Sequence, residues 1–405
     1  MPIRAIFALL IGVLAPAPCL AAVASTRPVP PPSAAGSLGS TLVLAPDGTP
    51  YLSWLEPVEK AWALKFSRFN ADHSTWSEPR VIAQSEELVA NWADFPQLAV
   101  ATDGRLTAVW SVNNPKHAMM PGHHGAGYRA IYAQSADDGK TWSSELPVSD
   151  EALPVEFVCL QPLPGGRMLA VWLDGRAHQS GGDRQALYAR LLGAPGPDMA
   201  VDPSVCDCCQ ISLAPLAGGG ALMAYRGRTT DEIRDIQLAR FDGKAWTKLG
   251  ALHADHWKIT GCPVNGPQLV AAGDRVGAVW FTAADNQARV LARLSSDGGR
   301  TFGSPLRVDL GRPQGRVDNL LLADGTLVIT WLETTGKDGG PEGGVYMRTV
   351  SATGELSAPQ LLVPTRTTRS SGFPRIVPLG GKKFLLTCTR DGESTQVLAF
   401  CVELD

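Results

Sequence analysis

Three things are scarce in this chain. No run of Lys and Arg and no basic stripe appears, and the formal net charge is -3, so a nucleic acid is not expected as the main partner. Beyond the first residues no stretch is apolar enough for the roughly 20 residues that a membrane helix needs. Cys-x2-Cys spacing with a distant partner pair, the usual mark of a structural zinc site, is also missing, although the chain has 8 cysteines. What is abundant is punctuation. With 42 Gly and 31 Pro against 44% hydrophobic residues, there is material for a core but little room for long helices, and short strands are expected.

The N-terminus has the layout of an export signal. Arg4 precedes an apolar run from Ala5 to Leu14, and Ala22-Val23-Ala24 offers the small residues a signal peptidase cuts after, so the mature chain is expected to start near Ser25 in a periplasmic or secreted protein. Cys19 raises a lipoprotein alternative, which Pro18 weakens by standing where a small flexible residue is wanted. Residues 25–38, with Pro28, Pro30, Pro31 and Pro32, read as a tether, and 39–405 as a single domain. Without Cys19 seven cysteines remain, an odd number. In an oxidising compartment at least one thiol is then free, bonded to another molecule, or on a metal.

From Thr41 onward one unit recurs: an apolar strand, a turn with Asp-Gly or Gly-Gly, and a second strand ending in an aromatic residue. Trp54, Trp110, Trp172, Tyr225, Trp280 and Trp331 mark six copies at steps of 51 to 62 residues, and a seventh reaches Thr387. Third and fourth strands follow in each unit, such as Val290 to Leu294 and Pro305 to Val308. Repeated four-stranded antiparallel sheets of this length predict an all-β propeller, which hides sheet edges by radial packing. The last unit ends after three strands. A strand from before Thr41 would complete it, which favours seven blades with six as the alternative.

Two turns after third strands share a pattern. Ser135, Asp137, Gly139 and Trp142, and again Ser295, Asp297, Gly299 and Phe302, sit in Ser-x-Asp-x-Gly-x-Thr-aromatic strings. These resemble the Asp box (BNR repeat) of the sialidase-like propellers. In such a turn the Asp side chain satisfies backbone donors, the glycine takes a positive φ, and the aromatic packs between strands. The boxes are structural and lie opposite a propeller's usual binding mouth.

On the mouth face the most unusual string is Cys206-Asp207-Cys208-Cys209-Gln210. Cys159 and Cys262 occupy matching stretches of the neighbouring units, and His253 and His256 precede Cys262, so a sulfur and imidazole cluster is expected at the rim. The bland alternative is disulfide staples, for instance Cys209 with Cys262; Cys388 and Cys401, on adjacent strands of the last unit, are candidates for a separate cross-strand disulfide. A Gly-rich loop adds His117, Met119, Met120, His123 and His124. Thioether, thiolate and imidazole together suit copper, with a mobile polar loop as the alternative.

The resemblance also implies chemistry. Sialidases bind a substrate carboxylate with three arginines and use a tyrosine nucleophile assisted by a glutamate, with an aspartate as acid or base. No residue matches that set one by one, but mouth residues that could be assembled into such a site are Asp94 as acid, Tyr225 with Glu232, and Arg226, Arg228, Arg234 or Arg316 as carboxylate clamps, with Arg375 placed to point into the channel. The family's Phe-Arg-Ile-Pro motif is absent; Phe373-Pro374-Arg375-Ile376 has the composition in another order. Three readings follow: a mouth that binds a glycan or protein ligand and holds copper or another thiophilic metal, a glycoside hydrolase with a rearranged site, and an interaction platform with disulfide-bonded cysteines.

Overall fold

Strands that are buried on both faces have to be sandwiched between other sheets. Every residue of Ala221–Arg226 and of Leu327–Thr334 is buried, and in a chain that is almost entirely β this is met by stacking sheets side by side around a ring. The computed structural model describes residues 21–113, 128–150, 154–179, 182–336, 340 and 342–405, and shows a seven-bladed propeller of antiparallel sheets. Blades one to six occupy residues 38–85, 97–147, 155–205, 212–251, 268–307 and 313–366 in chain order. In blade one the short strand Thr75–Trp76 pairs with Ala61–Asn70 beside Arg80–Ser85.

The seventh blade contains Arg375–Gly380, Lys383–Arg390 and Gln396–Leu404, and its outer strand is Val23–Pro28 from the other end of the chain. This settles the blade number at seven. It also corrects the expected tether. Ser25 to Pro28 lie opposite Glu403 to Phe400 in the sheet, the Val29 amide donates to the Ala399 carbonyl at 2.9 Å, and Ser33 Oγ donates to the Val397 carbonyl at 2.9 Å. The segment is bound along the last blade and carries the chain into the first.

Recurring aromatics fill the gaps between blades. Trp54, Trp172, Trp280 and Trp331 are fully buried, and each indole N–H donates to a carboxylate: Glu56 at 3.0 Å, Asp174 at 2.8 Å, Asp255 at 2.7 Å and Glu333 at 2.6 Å. In three of the four the acid stands two residues after the Trp, on the same strand face. A partner of this kind offsets the cost of taking the indole N–H out of water.

The two box turns are closed by matching bonds. Ser135 Oγ accepts from the Gly139 amide at 2.8 Å and Asp137 accepts from the Thr141 amide at 2.9 Å and hydroxyl at 2.6 Å; the Ser295, Asp297 and Thr301 set repeats this. Gly139 and Gly299 have φ of 76° and 74°, and a Cβ on either would come within 2.5 Å of Phe66 or Leu222 in the preceding blade.

The Cys388 and Cys401 pairing is a second correction. In the observed register Cys388 lies opposite Leu398, and Cys401 opposite Leu385. Cys388 packs in the cluster between blades six and seven with Leu386, whereas Cys401 packs with Leu385 and Ala399 toward blade one. The thiols lie on opposite faces of the sheet, and a disulfide cannot reach through it.

Closure by the N-terminal strand has a measurable consequence. A chain beginning at Ser25 keeps the pairs from Ser25 to Pro28 and should melt like one beginning at Ala21. A chain beginning at Val29 leaves the Gln396–Leu404 edge bare and should melt lower by about 5 °C or more in a thermal denaturation scan.

Candidate functional site

The strand Met199–Val205 ends at Cys206, whose amide donates to the Arg226 carbonyl at 3.0 Å. A turn at Asp207 and Cys208 then folds the chain back, bringing the first, third and fourth residues of the Cys-Asp-Cys-Cys string to one side. The Sγ atoms of Cys206 and Cys209 are 3.6 Å apart, those of Cys206 and Cys208 4.0 Å, and the three lie within 4.8 Å of one another. The Cys262 thiol, from the segment leading into blade five, is within interaction range of that of Cys208 but stands outside the group of three. Among the described residues the seven cysteines are free thiols, and Cys209 is not joined to Cys262.

Positive charge surrounds this cluster. Arg234, 2% exposed, donates from Nη1 to Cys206 Sγ at 3.4 Å and from Nη2 to Glu232 at 2.7 Å. Arg228 bridges Glu232 at 2.8 Å and Asp207 at 3.1 Å. Hydrogen bonds from the Cys208 and Cys209 thiols, aided by Arg226 and Arg234, hold the Cys206 thiol well below the usual thiol range. Burial pushes Cys209 the other way, up to about 12. Hydrogen bonding to its neighbours pushes Cys208 up as well, so the group favours a thiolate at Cys206 and holds Cys208 and Cys209 as thiols.

Beside the cluster, at the ring's axis, is a cavity of about 240 Å³ whose polar wall includes Asp94, Gln97, Cys159, Gln210, Asp318 and Arg375. Asp94 Oδ1 accepts from the Phe157 amide at 3.0 Å, and its buried Oδ2 has no partner among the described residues. Burial, then the neighbouring Glu156 charge, raises Asp94 to about 8. Burial raises Glu156 to about 7 although Gln185 donates to it at 2.6 Å, and raises Asp318 to about 6 against the opposing effect of Arg375. The Arg375 guanidinium is 3.8 Å from Asp318 and lies over the ring of Phe95.

Asp94 also has a structural task that recurs around the ring. Phe157 has a φ of 52°, and its amide is held by Asp94 from the preceding blade; Arg316, also with a φ of 52°, is held by Asn265 at 2.7 Å; and the Ile376 amide is held by Asp318 at 2.8 Å. A polar side chain from one blade thus fixes a strand start in the next, twice at a bulge with left-handed backbone.

The other expected residues fall elsewhere. The Tyr225 hydroxyl donates to Asp202 at 2.7 Å inside the core, while Glu232 is occupied by Arg228 and Arg234, so the structure does not pair Tyr225 with Glu232. Arg226, 2% exposed, donates to the carbonyls of Arg234, Asn265 and Phe281, and Arg316 to those of Thr368 and Gly372; both act as braces. His253 is bound to Asp255 at 2.9 Å, and neither it nor His256 belongs to the thiol group. Cys159 lines the axial cavity and does not join it either. His117, Met119, Met120, His123 and His124 lie outside the described residues. Asp207 and Gln185 were not expected in a site; Asp207 stands inside the cysteine string, but nothing around Gln185 marks it.

Asp94 yields a prediction with a definite sign. Its folded pKa is raised from 3.8 to about 8, so its contribution to stability is complete at low pH and is lost as pH rises through that interval. Asp94→Asn keeps an acceptor for Phe157 and cannot ionise. Its melting temperature relative to the parent should therefore increase between about pH 5 and about pH 9, and a pH-independent difference would show that Asp94 does not titrate in this range.

The chain matches no family model, and no curated protein matches it. Among solved structures it is similar to a Dyadobacter fermentans protein of unknown function, at 15% identity and a TM-score of 0.50, over 95% of this chain and 99% of that one. It is also similar to the polysaccharide lyase Uly1, at 9% identity and a TM-score of 0.50, over 90% of each chain. An α-L-arabinofuranosidase of Fusarium graminearum aligns at 14% identity and a TM-score of 0.49, over 94% of this chain and 98% of that one. At these identities the likeness is one of fold, and the fold shared is the β-propeller.

Proposed function

We propose that this protein is an exported propeller that works as a binding module, holding a thiophilic metal, Cu(I), on Cys206, Cys208 and Cys209 at its mouth. One observation carries the reading: three sulfur atoms lie within 4.8 Å of one another, with a fourth thiol nearby, beside a guanidinium bonded to sulfur. A single buried thiol packs as a small apolar group, but three gathered around one point beside an arginine form a donor set, with disulfide formation as the competing use. Thiolates are soft ligands that prefer Cu(I) and also accept Zn(II), and the nearby arginines offset the negative charge they bring. Elemental analysis of the purified, reduced protein should find about one copper per chain, and the combined Cys206→Ser, Cys208→Ser, Cys209→Ser variant should carry none. Metal-free protein with its thiols oxidised to disulfides would sink the reading, and zinc in place of copper would revise the choice of ion.

A second reading has support from the axial cavity. Asp94 and Glu156 are raised to about 8 and about 7, so one acid beside the cavity holds its proton at neutral pH, which is what protonating a glycosidic oxygen requires. This hydrolase reading uses Asp94 as the acid and does not use Tyr225. It predicts turnover of at least one aryl glycoside, lost in Asp94→Asn and falling in the parent as pH rises through about 8. Silence across a broad panel of glycosides would remove it.

A further inference from the structure

The four sulfur positions are not equally buried. Cys206 and Cys209 are 1% and 2% exposed, Cys208 is half-buried, and Cys262 is exposed. The deep thiols are also the better anchored. The Cys206 amide is bonded to Arg226, and Gln210, next to Cys209, donates to the Ala93 carbonyl at 2.8 Å and accepts from the Gly266 amide at 3.1 Å. Cys262 lies in residues 262–267, which form no regular structure. Its segment is tied to the rest of the chain near its ends, by the Ile259 amide on the Glu232 carbonyl at 3.0 Å and by Asn265 and Gly266, and Asn265 also donates back to the Pro263 carbonyl at 3.2 Å. Between them Val264 takes a φ of 48°, a conformation that costs a β-branched residue energy and bends the segment sharply just past the cysteine.

We infer that Cys262 is the exchange ligand of this centre, the thiol through which Cu(I) passes between the buried cysteines and an external carrier that holds it on thiolates. The inference rests on the metal reading above and adds its partner chemistry. A soft cation held by sulfur moves by ligand replacement, so an incoming carrier needs one thiol it can touch and a second that can take over. Cys262 supplies the first and Cys208, within interaction range of it, the second. In the first step the Cys262 Sγ–Cu bond forms as a carrier S–Cu bond breaks, and the Cys262 proton passes to the released carrier thiolate. No electron changes hands. Cys208, Cys206 and Cys209 then take over the ion as the Cys262 Sγ–Cu bond opens and that thiolate regains a proton; Cys208 and Cys209 release theirs to solvent as they bind, and Cys206 binds as the thiolate.

The test uses the full chain, glutathione-bound Cu(I) as donor and sulfonated bathocuproine as acceptor, with stopped-flow rates in both directions and copper stoichiometry at equilibrium. Cys262→Ser should still hold copper on the deep thiols yet exchange about tenfold more slowly, and Cys262→Met, which restores a soft donor, should recover part of the rate. An unchanged rate in Cys262→Ser overturns the inference. So does loss of copper from that variant while the parent stays loaded, because Cys262 would then be an anchor. If the parent itself takes up no copper, the metal reading has failed, a result visible in the stoichiometry before any variant is compared.

Discussion

Closing the ring is the constraint on which the rest depends. A sheet buried on both faces is stable only between two others, and seven such sheets in a row leave two bare faces unless the last meets the first. The chain meets this by laying Val23–Pro28 against Gln396–Leu404, so that both ends of the polypeptide share one blade. Once that blade is complete, Leu52 and Trp54 of blade one pack with Val377 and Leu385 of blade seven. Cleavage of an export signal after Ala24 would leave the closing strand almost intact.

Closure also creates the site. Seven innermost strands begin around one axis, and there polar side chains from several blades meet around one cavity. Asp94, Asn265 and Asp318 each hold a backbone amide of the next blade, and Gln210 reaches across blade three to Ala93. The buried carboxyls of the axis are therefore part of the frame, which explains how groups with raised pKa values are tolerated there. The thiol cluster stands just outside, where the link into blade four meets the link into blade five. Its position comes from adjacent blades and its chemistry from one short string.

Much of the frame was legible in the chain. The spacing of Trp54, Trp110, Trp172, Tyr225, Trp280 and Trp331 marked the second strand of each blade because a bulky residue is needed at each gap between sheets. The acids that satisfy those indoles were equally visible, as Trp-x-Glu or Trp-x-Asp at residues 54, 172 and 331, but that pattern acquires meaning only when the indole is known to be buried. Register was not legible. Cys388 and Cys401 stand on neighbouring strands, and only the alignment of those strands shows that their side chains leave by opposite faces. Tyr225 and Glu232 failed to pair for a related reason: Tyr225 points between blades to Asp202, a partner 23 residues away that no local pattern announces. The cysteines at 206, 208, 209 and 262 were legible because a turn gathers residues close in sequence and the propeller repeat places the neighbouring link beside it.

The central claim is that these sulfurs form one metal centre. X-ray absorption at the copper edge, on protein loaded with Cu(I), reads the ligand atoms directly. The account predicts a first shell of sulfur alone, which thins in Cys208→Ser. A first shell dominated by nitrogen or oxygen, unchanged by that substitution, would contradict it and place the metal elsewhere on the chain.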